Sequence, residues 1–277
     1  MRGSPRLADE LLDGSHSNRV SPTAHPGAAT TSRVGSLAAH WDMTLRVLRA
    51  PRVCLRVYGD DEARSVYRAF TARHRRFWFT SAKRWGVALL RLPDTYDEYA
   101  RSTSRLVRRR RNRALERGYR YEAVDPASHM TEVLEVNAST PIRQGRPMAN
   151  LYLDRDQMRA MLSRRPIIHA ILDGTDHLRA YADLVDIGDA YTFAFLIGHA
   201  SCLEDGVMYL LMTEVVRYCI DARRTDGSPG WLMADTFWGA SAGLAYFKER
   251  VGFRPFTVDW QWTERPATQC DQGSREA

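Results

Sequence analysis

The chain has 277 residues, of which 44% are hydrophobic and 10% aromatic, with a formal net charge of +7 and a pI near 9.4. This length allows one large domain or two ordinary ones, and the aromatic content excludes disorder along the whole chain. No stretch resembles a membrane span or the apolar core of a signal peptide, so we expect a cytoplasmic protein. The positive charge favours an anionic partner, such as nucleic acid, a phosphate-bearing cofactor or an acidic surface.

Four segments are expected along the chain. Residues 1–40 are rich in Ser, Gly, Pro, Ala and Arg without apolar periodicity, which predicts a disordered leader. Residues 41–118 are expected to form an N-terminal lobe that ends in a long basic helix, and residues 119–264 a larger domain. A second disordered segment is expected at residues 265–277.

The N-terminal lobe begins with alternating elements. Apolar spacing predicts a strand at VCLRVYG (53–59), a helix over residues 60–76 and a second strand at WGVALLRLP (85–93). The segment from Asp94 to Gly118 has a helix-opening acid, a helical composition and a glycine where a C-terminal cap belongs, so it predicts one long helix.

After residue 118 a meander and then alternating elements are expected. A strand (119–124), two helices (129–139 and 154–165) and a loop between them (140–148) precede three strands at 166–174, 177–188 and 190–200. The apolar segment VMYLLM (207–212), a helix (213–224), a strand (231–238), a helix (241–251) and a closing strand (253–262) follow. Such an order implies a mixed sheet.

This succession resembles that of the GNAT acyltransferase domain. Two stretches are similar to its Fem-type, or acetyltransferase-6, branch: RLVRRRRNRALERGYRYEAV (105–124) and WLMADTFWGASAGLAYFKERVGFRPF (231–256). The resemblance covers residues 95–262 and, more loosely, residues 53–93. It implies an α/β (α+β) fold with a mixed, mainly antiparallel central sheet flanked by helices, and a degenerate first GNAT-like lobe before it.

The resemblance also implies an N-acyltransferase or aminoacyltransferase that acts on an amine of a small molecule or peptide. GNAT enzymes hold the coenzyme A pyrophosphate in a Gln/Arg-x-x-Gly-x-Gly/Ala loop at a helix start, where backbone N–H groups bind phosphate. Here only Gly198 and Gly206 lie between Ile197 and Glu214. Both acyl-CoA (acetyl-CoA) and the aminoacyl-tRNA used by the Fem-type branch are therefore retained as donors, and the net charge suits tRNA.

Two residues of the last predicted helix are catalytic candidates. Lys248 matches the lysine of the family's Phe-Lys pair, where an ammonium group could stabilise an oxyanion, although its head could equally be solvated. Tyr246 has the chemistry of a general acid for the leaving group, and packing is its alternative role.

The substrate-binding candidates come from a loop and a strand end. The loop 140–148 combines rigid residues with guanidinium donors, which can make a carboxylate or phosphate site or simply connect two helices. At the strand end WLMADTFW, an Asp could bind substrate or serve the structure. The candidates are Arg143, Gln144, Arg146, Tyr152, Asp235 and Trp238. His199 could act as a base or end its strand as an ordinary polar residue.

The arginine run of residues 105–117 must spread around its helix, so part of it faces solvent. We expect Arg105, Arg109, Arg110 and Arg113 to bind an anion or nucleic acid if the run is functional, and to form a solvated face otherwise. A non-catalytic nucleic-acid-binding protein of the same fold is therefore the rival function. No metal site is predicted, because the four cysteines are far apart in sequence and form no C-x-x-C pair.

Overall fold

The computed structural model describes residues 46–47, 49–72, 83–143, 146–224, 227–238 and 240–264. The predicted leader (1–40) and tail (265–277) lie outside this range, as do Gln144 and the end of the helix predicted over 60–76. Of Arg146, the backbone alone is described.

Eight strands form one sheet. They are β1 (Arg52–Val57), β2 (Val87–Arg91), β3 (Arg120–Val124), β6 (Ile168–Leu172), β7 (Leu178–Asp186), β8 (Ala190–Gly198), β9 (Trp231–Thr236) and β10 (Arg254–Trp262). Two short strands, β4 (Ile142–Arg143) and β5 (Arg146–Pro147), make a separate ribbon. The helices are α1 (Asp61–Thr71), α2 (Tyr96–Ser102), α3 (Arg105–Glu116), α4 (Met130–Ala138), α5 (Arg155–Leu162), α6 (Val207–Asp221) and α7 (Ala242–Arg250).

The strand order in the sheet is β1-β10-β2-β9-β8-β7-β6-β3. The pairs β1–β10 and β8–β9 are parallel and the others are antiparallel. This arrangement confirms the predicted mixed, mainly antiparallel sheet and the meander of β6, β7 and β8. Strands β1 and β2 join the same sheet, and β2 lies between β9 and β10; the proposed division at residue 118 stays a prediction.

Helices cover both faces of the sheet. Neighbouring residues in a strand point to opposite faces, so their contacts show which helices lie on each face. In β2, Ala88 and Leu90 belong to a core with α2, α3 and α6, whereas Val87 and Leu89 pack with α1. Helices α4 and α5 lie on the same face as α1 and pack against β6, β7 and β8. We call the face covered by α2, α3 and α6 the α6 face, and the face covered by α1, α4 and α5 the α1 face.

One long helix was expected over 94–118, and that prediction is wrong. The structure has two helices, α2 and α3, separated at Thr103 and Ser104. Thr103 Oγ1 donates to the carbonyl of Ala100, and Ser104 Oγ accepts from the N–H of Val107 at 3.4 Å. Hydroxyl side chains that bond to nearby backbone groups favour helix caps over helix interiors. Helix α6, in contrast, is longer than expected, because it includes the apolar segment 207–212.

A buried ion cluster ties the N-terminal helix α1 to the middle of the sheet. The guanidinium group of Arg165 binds both carboxylate oxygens of Glu62 in α1, and its Nε lies 2.8 Å from the carboxylate of Asp183 in β7. Asp183 is 1% exposed, and burial raises its pKa to about 6 although Arg165 opposes that shift.

Candidate active site

The parallel strands β8 and β9 pair through their first three residues and then separate. Their register ends at Thr192 opposite Met233. Just beyond this point each strand carries an extra residue relative to its other neighbour. In β8 the extra residue is Ala194, which has no partner in β7. In β9, two residues, Ala234 and Asp235, face one residue of β2.

β-Bulges bend a strand and re-aim its side chains, and they are common beside active sites. A bulge in each of the two parallel strands, directly after their last pair, accounts for the opening between them. Ala194 is exposed although it lies in an inner strand of the sheet. We call this gap the β8–β9 opening.

Asp235 lies at the bulge of β9 in a backbone conformation that few residues adopt. Its φ is +53°, in the left-handed region that costs a non-glycine residue about 1–3 kcal/mol. Its carboxylate is 3.0 Å from the ammonium group of Lys83, and its side chain is 59% exposed. Such strain is stable only where the surroundings impose it, and it concentrates at functional sites.

Both lysines of the chain lie within electrostatic reach of this carboxylate. Of 40 basic residues, two are lysines, Lys83 and Lys248. Asp235 raises the pKa of Lys248 and Lys83 lowers it, so all three groups lie within electrostatic reach of one another. Arginine cannot replace a lysine whose ammonium group must be compact or change its protonation state.

Lys248 is buried on the α6 face. It is 6% exposed, its Nζ donates to the carbonyl of Thr236 at 2.8 Å, and it lies 5.8 Å from the centre of the Phe237 ring. Burial lowers its pKa to about 8. The ammonium group is thus held in a dry environment at the end of β9, rather than solvated.

Two aromatic candidates lie on the surface near this lysine. Trp238, which directly follows Phe237, is 61% exposed, and Tyr246 on α7 is 46% exposed. The guanidinium group of Arg250 lies over the Tyr246 ring at 4.6 Å. Tyr209 of α6 interacts electrostatically with Tyr246, Arg110 and Arg250, and its ring contacts Phe247 at 5.1 Å. Aromatic and cationic groups therefore surround the space between α6 and α7.

Arg143 lies at the far end of β8 and uses its donors on the backbone. It binds the carbonyl of Gly198 at 2.9 Å and that of Val136 at 2.8 Å, while its Nε is buried and has no hydrogen-bond partner among the described residues. Beside it, the buried Asn137 joins the Tyr152 carbonyl to the Tyr181 hydroxyl, each at 2.8 Å. This network fixes the end of β8.

The candidates therefore fall into separate groups. Lys248, Asp235 and Trp238 lie around the end of β9, and the structure adds Lys83 to them. Tyr246 lies two residues before Lys248 on α7. Tyr152, whose ring contacts Phe195 at 5.7 Å, lies with Arg143 near the end of β8 on the α1 face. The opening separates these two groups. His199 hydrogen-bonds to Ser201 at 2.8 Å, and its pKa is lowered by burial and by Arg179 and Arg143.

The loop before α6 packs against α3. A side chain at Gly206, which has φ +96°, would overlap the carbonyl oxygen of Arg110, and the Arg110 side chain donates to the carbonyl of Glu204 at 2.7 Å. Asp205 pairs with Arg117 and accepts from the Tyr119 hydroxyl at 2.9 Å. This is the position where GNAT enzymes place their pyrophosphate loop, and here its polar groups bind residues of the chain itself.

Three candidate arginines form one exposed row on α3. Arg105, Arg109 and Arg113 are four residues apart, so they lie on the same side of the helix, and all are exposed. Other arginines of the run have internal partners: Arg108 binds the Thr103 carbonyl and Arg111 binds Glu214. We call the three exposed residues the α3 row.

No protein-family model matches the sequence, and no curated protein is similar to it. In fold it is similar to a C-terminal domain (DUF2156) assigned to a lysylphosphatidylglycerol synthetase of Agrobacterium fabrum, with a TM-score of 0.42, 14% identity and coverage of 61% of this chain and 57% of that one. It is also similar in fold to L-PGS from Bacillus licheniformis, with a TM-score of 0.42, 13% identity and coverage of 61% of this chain and 58% of that one. For FemX the TM-score is 0.49 and the identity 10%, with coverage of 62% of this chain and 59% of that one.

This chain spans less than two thirds of the length of these three structures. At TM-scores below 0.5 the similarities concern shape alone, and the chemistry of the site follows from its own residues. No helix in the described ranges is long and apolar enough to cross a membrane.

Proposed function

We propose that this protein transfers an acyl or aminoacyl group from an ester or thioester donor to an amine, and that the reaction occurs at the β8–β9 opening. The observation that carries the proposal is the buried Lys248, whose Nζ is fixed 2.8 Å from the Thr236 carbonyl beside that opening. With a pKa of about 8 it is mainly protonated at pH 7 and can still donate a hydrogen bond.

The amine nitrogen attacks the donor carbonyl carbon, and the carbonyl oxygen becomes an oxyanion. The Lys248 ammonium group donates a hydrogen bond to this oxygen, in a dry site where such an interaction is much stronger than in water. The intermediate then collapses, so that the new C–N bond remains and the bond to the alcohol or thiol breaks. The acceptor, bound as an ammonium ion, loses one proton to solvent before it attacks. The Tyr246 hydroxyl then protonates the leaving alcohol or thiol, and the second proton that the amine nitrogen releases restores that hydroxyl.

Asp235 and Lys83 are assigned to the acceptor. An exposed carboxylate attracts a protonated amine, and the strained backbone holds Asp235 at a fixed place beside the opening. Lys83 fixes the carboxylate before the acceptor arrives. Trp238 offers an exposed ring against which an acceptor can pack.

For the donor, the contacts of the loop 199–206 favour aminoacyl-tRNA over acyl-CoA. The Asp205 carboxylate and the carbonyl of Glu204 are engaged by α3, and a pyrophosphate there would meet that carboxylate. The α3 row supplies three guanidinium groups that can bind a phosphate backbone. Arg143, with Gln144 and Arg146 in the same loop, is assigned to the acceptor side.

The test is a transfer assay with the donors acetyl-CoA and bulk aminoacyl-tRNA, both labelled in the acyl group, and a panel of primary amines. We expect Lys248→Met to lower the rate about 100-fold or more, as the loss of an oxyanion donor does. Arg91→Gln, at an exposed residue of β2 that pairs with the start of β9, should retain most of the activity. Equal losses in the two folded variants would show that Lys248 has no special role.

A second function is favoured by the α3 row: binding of nucleic acid without catalysis. In that case Arg109→Glu should abolish binding of tRNA, with a steep salt dependence for the wild type, and Lys248→Met should change nothing. Arg109 is the suitable position for charge reversal, because Arg110 also holds the loop before α6.

A further inference from the structure

A second cavity lies apart from the β8–β9 opening. It is enclosed by α2, α3 and α6 and has a volume of about 170 Å³. Its wall contains three arginines, two tyrosines and smaller polar and apolar side chains, chiefly Arg108, Arg111, Arg217, Tyr96, Tyr99 and Asn112. No residue of β8, β9 or α7 lines it, so a molecule bound here would not contact the reacting groups.

The charges of this wall are unevenly compensated. Glu214 is shared, because its carboxylate lies 2.8 Å from Arg111 and 3.4 Å from Arg217. Arg108 binds the uncharged carbonyls of Ala100 and Thr103, at 3.1 and 2.8 Å. Asp221 also lies within electrostatic reach of Arg217. Three guanidinium groups thus face two carboxylates, and the remaining positive charge attracts anions.

The guanidinium groups of the wall suit an oxyanion. Arg108, Arg111 and Arg217 all line the cavity. Guanidinium groups bind carboxylate and phosphate oxygens in pairs, so three of them around one small cavity favour a ligand with one oxyanion.

The remaining wall is aromatic. The Arg217 guanidinium group stacks on the Tyr96 ring at 4.1 Å. Tyr96 supplies the aromatic surface, because Tyr99 is 1% exposed and its hydroxyl is bound to the carbonyl of Val251 behind the wall. A small cavity with an aromatic side and a cationic side fits a compact molecule that has an apolar part and one oxyanion.

We propose that the cavity between α2, α3 and α6 binds a small organic anion, a phosphate monoester or a carboxylate, through Arg108, Arg111 and Arg217. The ligand's oxyanion lies against the three guanidinium groups and its apolar part against Tyr96. The site does not depend on the proposed transfer reaction, and it can be tested by binding alone.

The experiment is calorimetric titration of the full chain with phenyl phosphate, benzoate and inorganic phosphate. We expect phenyl phosphate or benzoate to bind more tightly than inorganic phosphate, because the ring adds apolar contact. If phenyl phosphate binds more tightly than benzoate, the site takes a phosphate monoester, and the reverse order indicates a carboxylate. Arg217→Gln leaves Glu214 its partner Arg111, and it should weaken binding about tenfold or more.

The matched control is Arg159→Gln, at an exposed arginine of helix α5 that lies outside the cavity and outside the α3 row. It should bind the probes like the wild type. If Arg217→Gln does not fold, Arg108→Gln takes its place. Absence of binding for all three probes, or equal weakening by the cavity variant and Arg159→Gln, would overturn the proposal.

Discussion

At the scale of single residues, Lys248 combines a cost to folding with a chemical use. Moving an ammonium group out of water is unfavourable, so a protein retains one in its interior where the charge is needed. Its hydrogen bond to the Thr236 carbonyl and its contact with the Phe237 ring hold the charge beside the β8–β9 opening. Both predictions for this residue follow from the pKa of about 8.

The first prediction concerns that pKa directly. Protein labelled with [¹³Cε]lysine should give two side-chain signals, since the chain has two lysines, and Lys83→Arg assigns them. We expect the Lys248 signal to titrate near pH 8. Asp235→Asn should lower that pKa further, because the carboxylate favours the charged amine. A Lys248 titration close to that of a free lysine would show that the ammonium group is solvated.

The second prediction is its consequence for stability. The unfolded chain holds the Lys248 proton up to about pH 10.5, whereas the native protein releases it near pH 8. Between these values the unfolded state binds more protons, so stability rises with pH. The free energy of unfolding of wild type minus that of Lys248→Met should therefore increase by up to about 3 kcal/mol from pH 7 to pH 10.5. Denaturant titrations at several pH values measure it, and a flat difference contradicts the burial.

At the scale of elements, the packing of α3 against the loop before α6 depends on Gly206. Its φ of +96° and the Arg110 carbonyl next to it leave no room for a Cβ. Gly118 has a φ of +83° but nothing within 4 Å of a Cβ. A comparison of variants at these two glycines therefore distinguishes the cost of backbone strain, which both share, from the cost of close contact, which Gly206 alone of the two has.

We expect Gly206→Ala to destabilise the fold by about 2 kcal/mol more than Gly118→Ala, because it combines strain with overlap. Denaturant titration of both variants checks this. Equal losses would mean that α3 can move away from the loop without cost.

The cluster of Arg165, Glu62 and Asp183 links α1 to the sheet. Arg165→Met removes the partner of a buried carboxylate, and such losses cost about 3–5 kcal/mol. Asp183 already has a raised pKa of about 6, so it becomes protonated at low pH and the loss should be smaller at pH 5 than at pH 8. The neighbouring exposed Arg164→Met is the control and should cost little. A loss that does not change with pH would contradict the ionised state of Asp183.

Sequence patterns predicted the elements whose type depends on the spacing of apolar residues within the element itself. Apolar alternation gave the strands of the meander, and the element order after residue 119 is the one expected. The break between α2 and α3 was missed, because helical composition was given more weight than the cap at Ser104, although Ser at that position is a recognised cap signal. The length of α6 was missed because an apolar run of six residues fits a strand as well as a buried helix.

The candidate site was predictable only in part. Lys248 was proposed from a resemblance and Asp235 and Trp238 from their position at a strand end, and the structure brings these residues together. Lys83 lies far away in sequence, and no local motif marked it. The rarity of lysine in an arginine-rich chain was the signal that could have identified both residues. Bulges such as those at Ala194 and Asp235 arise from pairing between strands, which periodicity within one strand does not show.

At the scale of the whole molecule, the sheet sets the distances between the proposed sites. The opening lies at its centre, with Lys248 on the α6 face and Arg143 and Tyr152 towards the α1 face. The α3 row presents positive charge to solvent, where it can attract a polyanion from a distance. An acyl donor that binds with its carrier along α3 and its carbonyl in the opening would use both features.

The measurement that tests this account most directly is the thermal unfolding midpoint of the protein with bulk aminoacyl-tRNA, deacylated tRNA, acetyl-CoA and free coenzyme A. A ligand present at 100 times its Kd adds about 2.7 kcal/mol to the stability of the folded state. We predict that one acyl donor raises the midpoint more than its own acyl-free carrier does, because the acyl group occupies the opening. Equal shifts with charged and deacylated tRNA and none with acetyl-CoA, or no shift with any of the four, would contradict acyl transfer.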